Sequence, residues 1–196
     1  MTAIYVVTED ALSEAVIDRI IQFVGGDIEV VTRMRRNGIG YLKSKFPELV
    51  KLARSVPVLM LVDLDRKECA PSVLREWSQG SELPDGLLFR VAVHEVEAWL
   101  LADHEAFAEF ARAPIGQLPA NPDELDDPKK FLLNLIRRYA RRPTKDSLLP
   151  RRGANSTVGI GYNNELIRFV KESWRPDRAA ESSDSLARMI PRVRAL

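Results

Sequence analysis

Residues 57–65 read PVLMLVDLD, an unbroken apolar run that closes on two carboxylates, Asp63 and Asp65. A strand that is apolar on both faces has no wet side. It belongs in the middle of a parallel sheet covered by helices above and below. A carboxylate at the end of such a strand is costly unless something binds or pairs it.

Upstream, IYVVT (4–8) is a β-branched run and predicts a strand. DALSEAVIDRIIQFV (10–24) carries Leu12, Val16, Ile20 and Phe23 at helical spacing, and Gly25-Gly26 closes it. DIEVVTR (27–33) predicts a second strand. YLKSKFPELVKLAR (41–54) predicts a second helix, with Pro47 at a start or a kink. Downstream, PSVLREW (71–77) opens with proline, as a first helical turn does. LLFRVAV (87–93) predicts a buried strand, and EVEAWLLADHEAFAEFA (95–111) one helix. Strand and helix thus alternate four times. That pattern calls for an α/β fold: a parallel sheet with right-handed crossovers and helices on both faces.

Residues 113–128, APIGQLPANPDELDDP, hold four prolines and predict a connector. Helical segments follow at 129–140, 164–174 and 183–196, the last broken or short because of Pro191. The expected organisation is an α/β core over 1–112, a Pro-rich connector over 113–128, and a basic helical extension over 129–196 packed on the core.

The chain has 196 residues, 45% hydrophobic and 29% charged, enough to bury a core without staples. No apolar run reaches the 18 residues of a membrane span. MTAIYVVTED lacks the basic start and apolar stretch of a signal peptide. A single cysteine, Cys69, excludes an internal disulfide and a thiolate zinc site. A cytoplasmic protein with no membrane partner is expected. The formal net charge is +1, but it is unevenly spread. Residues 1–128 hold 13 basic and 22 acidic groups, whereas 129–196 hold 16 basic and 6 acidic. Such asymmetry fits an extension that meets nucleic acid, or one that packs on its own acidic half. The densest basic stretch comprises Arg137, Arg138, Arg141, Arg142, Lys145, Arg151 and Arg152, with Tyr139 interleaved. It can hold a phosphate backbone or be a solvated helix face.

Sites in parallel sheets form at the carboxyl ends of strands. Here those ends carry Glu9 and Asp10, then Asp63 and Asp65, then His94, Glu95 and Glu97. If the strands are neighbours, the carboxylates share one rim and repel unless a cation sits among them. Hard oxygen ligands suit Mg²⁺, Mn²⁺ or Ca²⁺ rather than zinc, and Mg²⁺ points to phosphoryl chemistry. Simpler roles exist for each acid. Glu9 or Asp10 can favour a helix N-terminus, and Asp65 can cap a turn or pair with Arg66. Glu95 and Glu97 share a face only while the chain is still extended. Glu97, beside Trp99, is the more buried of the two. His94 reads as a strand-end residue or an orienting base, His104 as solvated, Cys69 as a small filler, and Trp99 and Trp174 as core.

Glu9 in YVVTED and Asp63 and Asp65 in LVDLD resemble the Toprim pattern of topoisomerases, primases and the overcoming-lysogenisation-defect (OLD) nucleases. That pattern has a Glu after the first strand and a DxD after the third. The stretches 89–103 and 162–190 resemble small bacterial Toprim-like proteins often associated with ATPase partners. The resemblance implies a Toprim-like, Rossmannoid core. It implies Glu9 as general acid/base or ligand, and Asp63 and Asp65 as Mg²⁺ (or Mn²⁺) ligands. Glu95 and Glu97 become second-metal ligands, as in the OLD-like branch. The chain departs from the pattern in having Glu9-Asp10 where Toprim proteins have Glu-Gly, and Glu14 five residues on from Glu9 rather than four.

Three functions compete. The first is a Mg²⁺-dependent phosphodiester-cleaving protein acting on DNA or RNA in a defence or repair system. The second is a non-catalytic Toprim-like partner of a separately encoded ATPase, since the chain has no Walker sequence. The third is a receiver-like phosphoacceptor, which lacks its strand-end Ser/Thr and Lys here.

Overall fold

The computed structural model describes residues 1–35, 39–63, 70–92 and 95–196. Four parallel strands form one sheet: β1 (Thr2–Thr8), β2 (Ile28–Arg35), β3 (Val58–Asp63) and β4 (Leu87–Ala92). Their spatial order is β2-β1-β3-β4. Helices α1 (Ala11–Val24), α2 (Ile39–Leu52) and α3 (Ala70–Ser78) make the crossovers. The α/β expectation with helices on both faces is therefore what the chain adopts.

The strand order fixes where the helices go. The chain moves from β1 to β2 in one direction, then reverses to reach β3 and β4. With one hand for all parallel crossovers, a reversal puts the helices on opposite faces. Accordingly α1 packs on one face of the sheet, with Ile4, Val6, Leu59 and Leu61. Helices α2 and α3 pack on the other, with Val7, Val58, Met60 and Val62. The period of two along β3 is what splits its apolar run between the two layers, so both sides of PVLMLV are dry. On the second face Phe46, Trp77 and Phe89 meet pairwise at ring-centroid distances of 5.3–5.4 Å.

The predicted single helix over 95–111 is two helices, α4 (Val96–Ala102) and α5 (His104–Ala111). The break is Asp103, whose side chain caps α5 by accepting from the Ala106 amide. The connector holds two 3₁₀ turns, Ile115–Gln117 and Pro122–Glu124.

Beyond it lie α6 (Pro128–Tyr139), α7 (Arg142–Leu148), α8 (Tyr162–Glu172), α9 (Pro176–Ala180) and α10 (Asp184–Arg194). The short α7 and α9 are not evident in the sequence pattern. α10 runs through Pro191 rather than breaking. Pro191 sits near the helix end, and Met189, Ile190 and Val193 are buried on either side of it. The lost amide costs less than that burial returns.

The extension is not a separate body. α8 and α10 lie against α1, α10 also against β4, and α6 against α4. One continuous apolar cluster runs from Ile4 to Val193. Two polar hubs, one fully buried and one half-buried, tie it down. Asp103, fully buried, accepts from the Arg175 amide at 2.8 Å and pairs with Arg178 at 3.0 Å. Asp123 accepts from the Ser183 hydroxyl and the Ser185 amide, both at 3.0 Å. Close approach explains Gly159. A side chain at Gly159 would collide with the Ser147 carbonyl, in the turn where the Gly159 amide donates to Leu148.

Candidate functional site

The reversal of direction between β1 and β3 is a topological switch point, where the loops after the two strands part and leave a crevice. Glu9 and Asp10 follow β1, and Asp63 ends β3. Residue 63 shares the parity of Leu59 and Leu61, so its side chain faces the α1 and α4 layer. Its Oδ1 accepts from the Val96 amide, the first of α4, at 3.1 Å. Asp65, Cys69 and His94 lie outside the described residues.

Asp63 is held well above the usual carboxylate range. Burial is the main cause, followed by the negative charges of Glu97, Asp10 and Glu9, and Lys129 opposes them. Of the strand-end acids, Glu97, Asp10 and Glu9 thus act on Asp63. Asp10, however, is committed as the N-cap of α1, accepting from the Ser13 amide at 2.8 Å.

Glu95 and Glu97 do not face an open cation position. Their partner is the Lys129 ammonium, 3.1 Å from Glu95 Oε1 and 3.5 Å from Glu97 Oε1. Glu95 also accepts from the Lys129 backbone amide at 3.0 Å, in the first turn of α6. Together with Asp127, which accepts from the Lys130 amide, it satisfies the open end of that helix. Glu97 is 3% exposed and accepts from the Tyr162 hydroxyl at 2.7 Å. Burial raises the Glu97 pKa; Lys129 works against it, Glu95 adds to it, and the net shift is upward. Burial opposes the charge of Lys129, but Glu97 and Glu95 outweigh it and its pKa rises. Tyr162 is raised by burial and then by Glu97, so it stays a donor at every ordinary pH.

Lys129 and Tyr162 are the members that sequence reasoning missed. Asp127-Pro128 marks the start of α6, so Lys129 can be placed in a first helical turn. Its meeting with residues 34 positions earlier has no local signal. Among the described residues, no three metal-binding side chains are gathered around one point.

The basic stretch is divided. Arg137 and Arg138 lie at the far end of α6 from Lys129. Nine residues at the helical rise put Arg138 about 14 Å along the axis from it. Arg137 donates to Asn134, and Arg138 lies over the Tyr139 ring at 5.1 Å. Arg142, Lys145, Arg151 and Arg152 line a cleft of about 540 Å³ together with Asp146. Arg141 lines a different one, of about 380 Å³, with Arg112, Arg168, Glu109 and Glu172.

Residues 7–150 match the model of DUF4276, a domain of unknown function. The chain belongs to that family. The DUF4276 match spans Glu9, Asp63, Glu95, Glu97 and Lys129, and stops short of Arg151 and Arg152 of one basic cleft, Arg168 of the other, Tyr162 and α8–α10. It carries no link to Toprim proteins or OLD nucleases. No curated protein and no solved structure matches the chain. No helix among the described residues is long and apolar enough to cross a membrane.

Proposed function

We propose that this DUF4276 chain is a Mg²⁺-dependent (or Mn²⁺-dependent) phosphodiester-cleaving protein with a Toprim-like site, acting on DNA or RNA in the cytoplasm. The observation that supports the reading is Asp63. It stands at the switch point, desolvated, among like charges from Glu9, Asp10 and Glu97, an arrangement a divalent cation relieves. The donor set is all oxygen and suits a hard ion. Asp63, with Asp65, would hold it, and Glu9 would serve as the general acid/base. A second ion at Glu95 and Glu97 would have to displace Lys129, so the proposal carries one ion.

Bound Mg²⁺ would lower the pKa of a water and neutralise charge on a phosphate. The chain's own residues do the rest. Glu9 moves a proton at its carboxyl. Asp63 gives up its proton on binding, so affinity rises with pH. Lys129 holds Glu95 and Glu97 in place. The clefts at Arg142, Lys145, Arg151 and Arg152 and at Arg141 would carry the nucleic-acid backbone.

A second reading, a non-catalytic partner of a separately encoded ATPase, is favoured by the commitment of Asp10 to its helix cap and of Glu95 and Glu97 to Lys129. Mn²⁺ titration by calorimetry, on the wild type and on Asp63→Asn, tests the first. Binding lost in the variant, followed by Mn²⁺-dependent cutting of a panel of single- and double-stranded DNA and RNA, supports it. No binding by the folded wild type refutes it and turns attention to co-purifying ATPases.

A further inference from the structure

Arg90 lies in the middle of β4, between Leu88 and Ala92, and its parity turns it to the sheet face that α10 covers. Its Nε is buried and has no hydrogen-bond partner. Among the described residues, no carboxylate pairs with Arg90 or with Arg192 of α10.

The one charge that acts appreciably on Arg90 is of its own sign. Burial first, and then the Arg192 guanidinium, make Arg90 less basic than a free arginine. A buried Nε–H without an acceptor is a cost to folding, and a like charge acting on it adds to that cost. Stability therefore gives no reason for the pair. An anion between them does, because it supplies both the missing acceptor and the missing charge. Two planar guanidinium forks match the tetrahedral oxygens of a phosphate better than they match a single-charge ligand.

We propose that Arg90 and Arg192 form an anion site at the β4–α10 edge, and that its ligand is a phosphate group. The site does not depend on the metal reading. It does lie on the same sheet face as Asp63. In the β3–β4 register Arg90 pairs with Leu61 and Ala92 with Asp63. One strand spacing and two residues therefore separate Arg90 from Asp63, about 8 Å between Cα atoms.

The test is thermal unfolding of the full chain in inorganic phosphate, against sodium chloride at matched ionic strength. Three proteins are compared: wild type, Arg192→Ala and Arg90→Met. Arg192 is on the surface, so its variant folds. Phosphate at ten times its Kd raises the wild-type Tm by about 4 °C over chloride, and neither variant responds. In chloride alone, Arg90→Met is as stable as the wild type or more so, which a purely structural arginine would not allow. No phosphate response in the wild type, or a full response in Arg192→Ala, overturns the proposal. A nucleoside monophosphate and a short single-stranded oligonucleotide are the further arms. If only the oligonucleotide outdoes inorganic phosphate, the phosphate comes from a polymer; if all three act alike, it is a free phosphate.

Discussion

Replacing Lys129 by methionine keeps the length of the side chain and the backbone amide that Glu95 accepts, and removes only the ammonium. Glu97 then keeps a carboxylate in a site where its side chain is 4% exposed, with the Tyr162 hydroxyl beside it and without the Lys129 cation. Removing one partner of a fully buried pair costs about 3–5 kcal/mol, whereas an exposed pair is worth about 0–1 kcal/mol. Lys129 itself is 36% exposed and Glu95 21%, so the Glu95 half of the network is screened. The Glu97 half sets the cost, at about 2–3 kcal/mol.

Urea unfolding at pH 7 reads that as a fall in midpoint of about 1 M. Adding Glu97→Gln to the same protein returns at least half of the loss, because the amide is neutral and still accepts from Tyr162. The pH dependence has a definite sign. Glu97 is raised by folding, and removing Lys129 raises it further. The protonated acid is the form the fold prefers, so the deficit shrinks as pH falls and grows as pH rises through the folded value. A Lys129→Met protein within about 0.5 kcal/mol of wild type at pH 7, or no recovery in the double variant, would show that the ammonium is not what holds these carboxylates.

Asp63→Asn resembles the neutral acid that the fold prefers at that position. In EDTA it should gain at least about 1 kcal/mol at pH 7 and nothing below about pH 4, measured by urea unfolding across pH. Asp103→Ala removes the acceptor for the Ala106 and Arg175 amides and leaves Arg178 without its buried partner. A loss of about 3–4 kcal/mol is expected, and a loss under about 1 kcal/mol would mean that α5 and α9 are held by apolar contacts alone. If the extension carries nucleic acid, Arg151→Ala with Arg152→Ala should lower the slope of log affinity against log salt by about 2. An unchanged slope in a fluorescence titration would take this cleft out of the binding path.

Much of the architecture is local and could be read from the chain. The apolar run of residues 57–62 can only be a central strand, because both of its faces need cover. The alternation around it then dictates a parallel α/β sheet; the strand order that brings Glu9 and Asp63 to one crevice is set by the tertiary structure and not by spacing. Helix ends were less legible where a polar side chain replaces an amide partner. Asp103 splits 95–111 by capping α5, and it does so because Arg175 and Arg178 arrive from more than seventy residues away. Pro191 looked like a stop, yet buried Met189, Ile190 and Val193 carry the helix through it.

The sequence by itself determined which residue types stand at the strand ends, because hydrophobic periodicity and strand boundaries depend on neighbours along the chain. Only the tertiary structure decided what those acids meet. The ammonium of Lys129 and the hydroxyl of Tyr162 come from α6 and α8, and their distance from Glu95 and Glu97 is set by how those helices pack on α1 and α4. The same packing leaves Arg90 and Arg192 together without a carboxylate. Charge compensation is a property of three-dimensional neighbours, and no spacing in the sequence encodes it.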